Sequence, residues 1–155
     1  GNLIISLKKI NFLIEKFPNN VFFLETKGDI LRSHGYLNES LKFYKIVLNK
    51  YPDNYYIKYK IFLDTKTQNM QLNNKINFFY ENVNLIIQFP KNKYIINKFI
   101  EMAKDLEKIY WLNFFNIIID TNYKDMEELQ KKLNNLSKET NEIKLKKIIN
   151  EYNNL

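Results

Sequence analysis

Apolar residues recur along this chain at intervals of three and four, the spacing that lays one stripe along an α-helix. Leu7, Ile10, Leu13 and Ile14 predict a helix over 6–17. The same reading places helices at 20–34, at 38–51 with Leu41, Tyr44, Val47 and Leu48, and at 53–67 with Tyr56, Tyr59, Lys60 and Leu63. The polar run Gln68–Asn74 lacks a period and reads as a loop. Helix resumes over 75–89 with Ile76, Phe79, Val83, Ile86 and Ile87. Apolar spacing alone then predicts helices at 92–106, 109–121, 124–136 and 139–152, with Asn122-Tyr123 and Ser137-Lys138 as turns. The expected class is all-α, about nine helices in a single domain over 1–155.

The joints between these helices repeat. Phe17-Pro18-Asn19-Asn20, Tyr51-Pro52-Asp53-Asn54 and Phe89-Pro90-Lys91-Asn92 share an aromatic-Pro-x-Asn pattern. The first two prolines stand 34 residues apart and the next two 38, the extra four fitting in the polar loop around Asn69. Between Pro18 and Pro52, Gly28 and Gly35 fall where a helix–turn–helix repeat needs small residues. Ser40 and Tyr44 follow four apart, and Pro52 comes eight after Tyr44. This register resembles a tetratricopeptide repeat, whose period is 34. Gly28 costs its helix about 1 kcal/mol relative to Ala, so close approach of the partner helix should compensate. Gly35 is placed to end a helix with positive φ, Asn38 to cap the next, and Pro52 to open the one after. Phe62 takes the place of Gly28 in the following unit, which predicts wider packing there. The likeness implies a right-handed superhelix: a complete repeat at 19–52, weaker units at 53–90 and 91–121, and C-terminal helices over 122–155. Aligned on the same period, Ser6 and Ile10 match Ser40 and Tyr44, so the first helix reads as the second half of an earlier repeat. The initial Gly1 in place of Met reads as a tag remnant and suggests a fragment.

Composition changes this picture little. The chain has 155 residues, 45% hydrophobic and 26% charged, with three Gly and three Pro, which is globular and suits long helices with short joins. No run of apolar residues is long enough for a transmembrane helix, and the amino-terminal stretch lacks the order of a signal peptide. With no cysteine, disulfide and thiol chemistry are excluded. The net charge of +7 points toward nucleic acid or an anionic membrane. Yet Arg32 is the only arginine, and the lysines are scattered among abundant Asn, Ile, Tyr and Phe, as the codons of an AT-rich genome would impose.

Candidate chemistry is sparse. His34 is the only histidine and sits where it can cap a helix end, which leaves zinc sites and Ser-His-Asp catalysis little to work with. HExxH, GxGxxG and phosphate-loop motifs do not occur, and the pairs Glu127-Glu128 and Glu101/Asp105 have spacings ordinary for solvated helix faces. The expectation is a chain that is not an enzyme, with no metal, no cofactor and no small-molecule substrate. Twelve phenylalanines and eleven tyrosines could stack on single-stranded nucleic acid. Phe12, Phe43, Phe62, Phe79, Phe99, Phe114 and Phe115 recur at core spacing instead, and Trp111 fits either a helix seam or the surface.

In an array of such repeats the first helices line a concave groove suited to a peptide or helix. The groove positions are Phe22, Glu25, Asp29, Arg32 and Ser33 in the complete unit. They are Tyr56, Tyr59, Leu63 and Lys66 in the next, and Tyr94, Asn97, Glu101 and Lys104 in the third. This tyrosine-rich, mixed-charge lining suits a protein partner better than phosphates, so nucleic acid is disfavoured. The stretch PNNVFFLETKGDILRSHGYLNESLKFYKIVL is also similar to the repeat tail of bacterial HExxH zinc metallopeptidases of envelope protein quality control. Their tails carry Pro-Asn-Asn-Pro-aromatic-Phe-x-Glu-x-Lys-Gly-x-Ile-Leu. Here Pro18, Asn19, Asn20, Phe22, Phe23, Glu25, Lys27, Gly28, Ile30 and Leu31 match, while Val21 replaces the second proline. The likeness is good over about 45 residues and faint over the rest. It implies a non-catalytic tail, periplasmic, that docks a protease on a membrane-associated assembly or an unfolded client. The alternatives are a stand-alone cytoplasmic adaptor or scaffold subunit of a larger complex and, third, a basic RNA-binding helical array.

Overall fold

The computed structural model describes residues 2–120 and 126–155, and every described element is helical. Nine helices have ten residues or more, and a tenth is a four-residue turn. The backbone divides into two compact units, Gly1–Asp64 and Thr65–Leu155.

The first unit holds α1 (Leu3–Lys16), α2 (Val21–Ser33), α3 (Leu37–Lys50) and α4 (Tyr55–Asp64), each packed on its neighbour in sequence. Leu24, Tyr44, Val47 and Ile57 form its core, with Ile14, Leu41 and Ile61 packed around them. The contact expected at Gly28 is present: a Cβ there would lie 2.6 Å from Tyr44 Cε1. The helix accepts a glycine because the Tyr44 ring occupies the space of the missing side chain. Ser40, one turn before Tyr44, is fully buried and donates its hydroxyl to Leu37 O at 2.8 Å.

The second unit holds α5 (Leu72–Asn82), α6 (Leu85–Gln88), α7 (Lys93–Asp105), α8 (Ile109–Asp120), α9 (Met126–Glu139) and α10 (Ile143–Tyr152). Phe79, Phe99, Trp111, Phe114 and Phe115 are fully buried and form one aromatic core. Phe79 stands edge-on to Trp111 at 5.3 Å, and Phe99 stacks on Phe115 at 5.3 Å. Trp111 is thus a core residue, whereas Phe12 in α1 is 54% exposed and outside any core. The carboxyl-terminal helices fold back: α10 packs on α6, and Tyr152 donates its hydroxyl to Pro90 O at 3.2 Å. Contact across 62 residues exceeds the neighbour-only packing of a strict solenoid.

The three Pro-containing joints are built alike. The aromatic residue ends a helix, donating its N–H to the carbonyl four back at 2.9 Å in all three (Phe17 to Leu13, Tyr51 to Val47, Phe89 to Leu85). Its own carbonyl accepts the N–H of the Asn three residues on, at 3.0, 3.1 and 3.1 Å. That closes a β-turn with proline second, where its fixed φ suits the turn. Asn20, Asn54 and Asn92 then cap the next helix: their Oδ1 atoms accept from Phe22 N (3.0 Å), Ile57 N (3.1 Å) and Tyr94 N (3.1 Å). Pro52 is therefore the second residue of a turn and does not open α4, because Asn54 supplies the start signal.

Fifteen residues beyond Asn20 and Asn92 the chain turns in the same way. Gly35 has φ +84 and Glu107 φ +52. Tyr36 N–H bonds Leu31 O at 3.0 Å and Lys108 N–H bonds Ala103 O at 2.8 Å, while Gly35 and Glu107 bond Arg32 O and Lys104 O. This is the paired closure of a left-handed helix stop. The repeat expected to fade after Pro90 thus persists in the backbone of α7 and α8, with glutamate in the glycine position.

Several boundaries differ from the sequence reading. Asn38 lies inside the first turn of α3, behind Tyr36 at the cap position, because the closure at Gly35 delivers the chain directly into helix. Leu72–Asn74 belong to α5, and the helix expected over 75–89 breaks at Val83–Asn84. There the Asn82 amide donates to Phe78 O at 2.8 Å, competing with the helix ladder. Ser137 and Lys138 stay helical, since the turn falls at 140–142, where buried Thr140 Oγ1 accepts Glu142 N–H at 3.1 Å. The turn expected at Asn122-Tyr123 lies outside the described residues.

Candidate interaction site

Each Asn cap is followed two residues later by an aromatic side chain: Phe22, Tyr56 and Tyr94. All three face solvent, at 69%, 56% and 76% exposure. Phe22 and Tyr94 have their own N–H tied to the cap, at Asn54 the cap holds Ile57 N instead, and in all three the side chain leaves the first turn outward. Phe22 leans on Phe23 at 6.0 Å, which in turn meets Phe17 at 6.1 Å, and Tyr56 leans on Tyr59 at 6.2 Å.

In α7 the four nominated residues, Tyr94, Asn97, Glu101 and Lys104, are all exposed. In α2 the charged ones turn inward. Lys60 of α4, only 5% exposed, places Nζ 2.7 and 2.8 Å from the Asp29 carboxylate and 3.2 Å from Glu25 Oε1. Tyr44 donates its hydroxyl to Asp29 Oδ1 at 2.6 Å, and the Lys60 ammonium stands 4.4 Å from the Tyr56 ring centre. Burying an ammonium is costly unless it is paired, and two carboxylates with two aromatic faces provide that pairing. Arg32 grips Asp64 at both oxygens, 2.5 and 2.8 Å, holding the end of α2 to the end of α4. Its hydrogen bond to Asp64 raises the Arg32 pKa, while burial and then the Asp29 hydrogen bond raise that of Tyr44.

Of the other nominated residues, Ser33 is exposed but returns its hydroxyl to Ile30 O at 2.9 Å, and Leu63 is half-buried. Lys66 was expected on a first helix and instead lies beyond its end, because α4 stops at Asp64. His34 caps α2 as expected, with Nδ1 2.8 Å from Ile30 O. The sequence reading missed Lys60 and Asp64 as partners of the α2 charges. A lysine within the otherwise aromatic and aliphatic row Tyr56, Tyr59, Leu63 was the available signal.

A second polar cluster lies in the Thr65–Leu155 unit. Glu142 accepts from Trp111 Nε1–H and from the Tyr80 hydroxyl at 3.2 Å, with Lys108 Nζ at 3.8 Å. The Tyr80 side chain, first, and Glu142 together raise the Lys108 pKa. This cluster fixes the indole in the core and the start of α10 beside it.

Among the described residues, no group of three His, Cys, Asp or Glu side chains is placed to hold a metal ion. No described helix is long and apolar enough to cross a membrane. No protein-family model, curated protein or solved structure matches the chain.

Proposed function

We propose that this chain is a non-catalytic protein-interaction module of tetratricopeptide-like repeats that takes a peptide or partner protein on the outward face of its first helices. The observation that carries this reading is the recurrence of an exposed aromatic residue at one register position, Phe22, Tyr56 and Tyr94, behind three equally built joints. Aromatic side chains are the commonest energetic anchors of protein interfaces, because each buries a large area at small entropic cost. The pairing of Glu25, Asp29 and Arg32 within their own unit supports a partner held there by apolar contact more than by charge. The same face would serve a free-standing adaptor or the repeat tail of a zinc metallopeptidase.

Selection of a displayed peptide library on the immobilised protein, followed by affinity measurement, tests this. Peptides should be enriched that bind in the micromolar range. The double variant Phe22→Ala, Tyr56→Ala should keep its helicity and bind peptides held by the Gly1–Asp64 unit at least tenfold more weakly, since each anchor contributes about 1–2 kcal/mol or more, and Tyr94→Ala should weaken peptides held by the Thr65–Leu155 unit. Failure to enrich any peptide, or full affinity in both variants, would refute the proposal.

A further inference from the structure

Within the Gly1–Asp64 unit, α1 and α3 carry a matched surface that the aromatic positions of the proposed function leave untouched. Lys8, Phe12 and Lys16 of α1 recur 34 residues later as Lys42, Ile46 and Lys50 of α3, the interval that separates Pro18 from Pro52. Steps of four keep each trio on one side of its helix. All six residues are exposed, Phe12 at 54% and Ile46 at 43%. The α3 trio stays exposed although α2 and α4 both pack on that helix, so it lies on the side turned away from the unit. The α1 trio occupies the same register on a helix that likewise packs on its successor, α2.

The excess charge of the unit is gathered on these two helices. α1 and α3 hold six lysines against two glutamates. α2 and α4 hold four cations against three carboxylates, and Arg32 and Lys60 pair with all three of those. Lys8, Lys16 and Lys42 make no ion pair with any described residue, and Lys50 Nζ lies 3.3 Å from Asn19 Oδ1. Lys16 Nζ stands 4.4 Å from the Phe12 ring centre, its stem laid beside the exposed ring. A codon bias toward lysine would favour asparagine equally, yet all four polar places of the two trios are lysine. Ammonium groups set around an apolar tip match the boundary of an anionic bilayer, where headgroups take the charge and the acyl region takes the ring and the isoleucine. Lysine is a point charge without the fork that fixes a carboxylate or phosphate in one geometry. Such a face selects by charge density rather than by shape, which suits a fluid headgroup layer better than a folded acidic partner.

We infer that the outward face of α1 and α3 docks the chain on an anionic lipid bilayer, with Lys8, Lys16, Lys42 and Lys50 among the headgroups and Phe12 and Ile46 at the acyl boundary. The probe is co-sedimentation of the full chain with phosphatidylcholine vesicles containing about one-third phosphatidylserine, compared with phosphatidylcholine alone. The anionic vesicles should bind at least tenfold more tightly, and the difference should shrink at high salt. Lys8→Glu, Lys42→Glu should weaken that binding at least tenfold, whereas Lys131→Glu, Lys138→Glu, an equal change of charge in the other unit, should weaken it less than threefold. Phe12→Ser, Ile46→Ser should weaken it at least threefold while the salt dependence remains. The Phe22→Ala, Tyr56→Ala variant should bind vesicles as the wild type does, which separates this face from the proposed function. Absence of vesicle binding, equal binding to both vesicle types, or an equal loss in the two lysine variants would each overturn the inference. Binding of polyglutamate without binding of anionic vesicles would make the face a site for acidic protein and overturn it as well.

Discussion

Gly28→Ala should destabilise the Gly1–Asp64 unit although alanine is the better helix former. The added methyl would stand 2.6 Å from Tyr44 Cε1 and 2.9 Å from Cδ1, so the ring must move. Tyr44 is fully buried, and its hydroxyl is held 2.6 Å from Asp29, so it moves only by giving up that bond or distorting α3. Overpacking of this kind costs about 1–3 kcal/mol, and loss of a hydrogen bond to a charged group costs about 1.5–3 kcal/mol. Against this stands a helix-propensity gain of about 1 kcal/mol. The expected net loss is about 1.5–5 kcal/mol, measured by urea unfolding followed by circular dichroism. Trp111, the only tryptophan, lies in the other unit, and its fluorescence should report a much smaller change. In a Tyr44→Leu background the clash disappears, and Gly28→Ala should become neutral or stabilising by up to about 1 kcal/mol. A neutral or stabilising effect of Gly28→Ala in the wild-type background would show that α2 and α3 do not meet at this distance.

Three further outcomes are expected. The folded state raises the pKa of Tyr44 above its ordinary 10.0 and so favours the protonated phenol. That contribution is full below about pH 10 and lost as the pH climbs from 10 toward the folded value. The stability difference between wild type and Tyr44→Phe should therefore narrow above pH 10 in chemical unfolding. Lys60→Met should cost about 1–2 kcal/mol in the same assay, less than a fully buried pair, because the Asp29 side chain is 45% exposed and can rehydrate. At the two left-handed helix stops opposite signs are expected. Gly35→Ala should lose about 1–2 kcal/mol, and Glu107→Gly should gain up to about 1 kcal/mol, read by thermal melting.

What the sequence makes legible here is local chemistry. The joints could be read because proline and asparagine act through bonds three or four residues away. The same holds for Gly35, and for Gly28 once Tyr44 was placed opposite it. Boundaries were missed where a backbone closure or a side-chain competitor decided the matter, as at Asn38, Asn82 and Ser137. The repeat beyond Pro90 was hard to read because α7 keeps the length and closure of α2 but replaces its glycines, with Ile100 at the Gly28 position and Glu107 at the Gly35 position. Glutamate at φ +52 bears strain that no helical period records. At the proposed interaction positions, helical spacing placed Phe22, Tyr56 and Tyr94 among the groove positions. It could not show that Glu25, Asp29 and Arg32 are engaged by Lys60 and Asp64, because those pairs join residues more than thirty apart.

The most direct test of the central claim is an amide-resolved titration of the chain with a selected peptide, at low and at high salt. The expected result is that the largest shifts fall around Phe22 and Tyr56 in one unit or around Tyr94 in the other, with an affinity that salt changes little. Shifts dispersed over the lysines, or an affinity that falls steeply with salt for the peptide and is exceeded by that for RNA, would contradict the account.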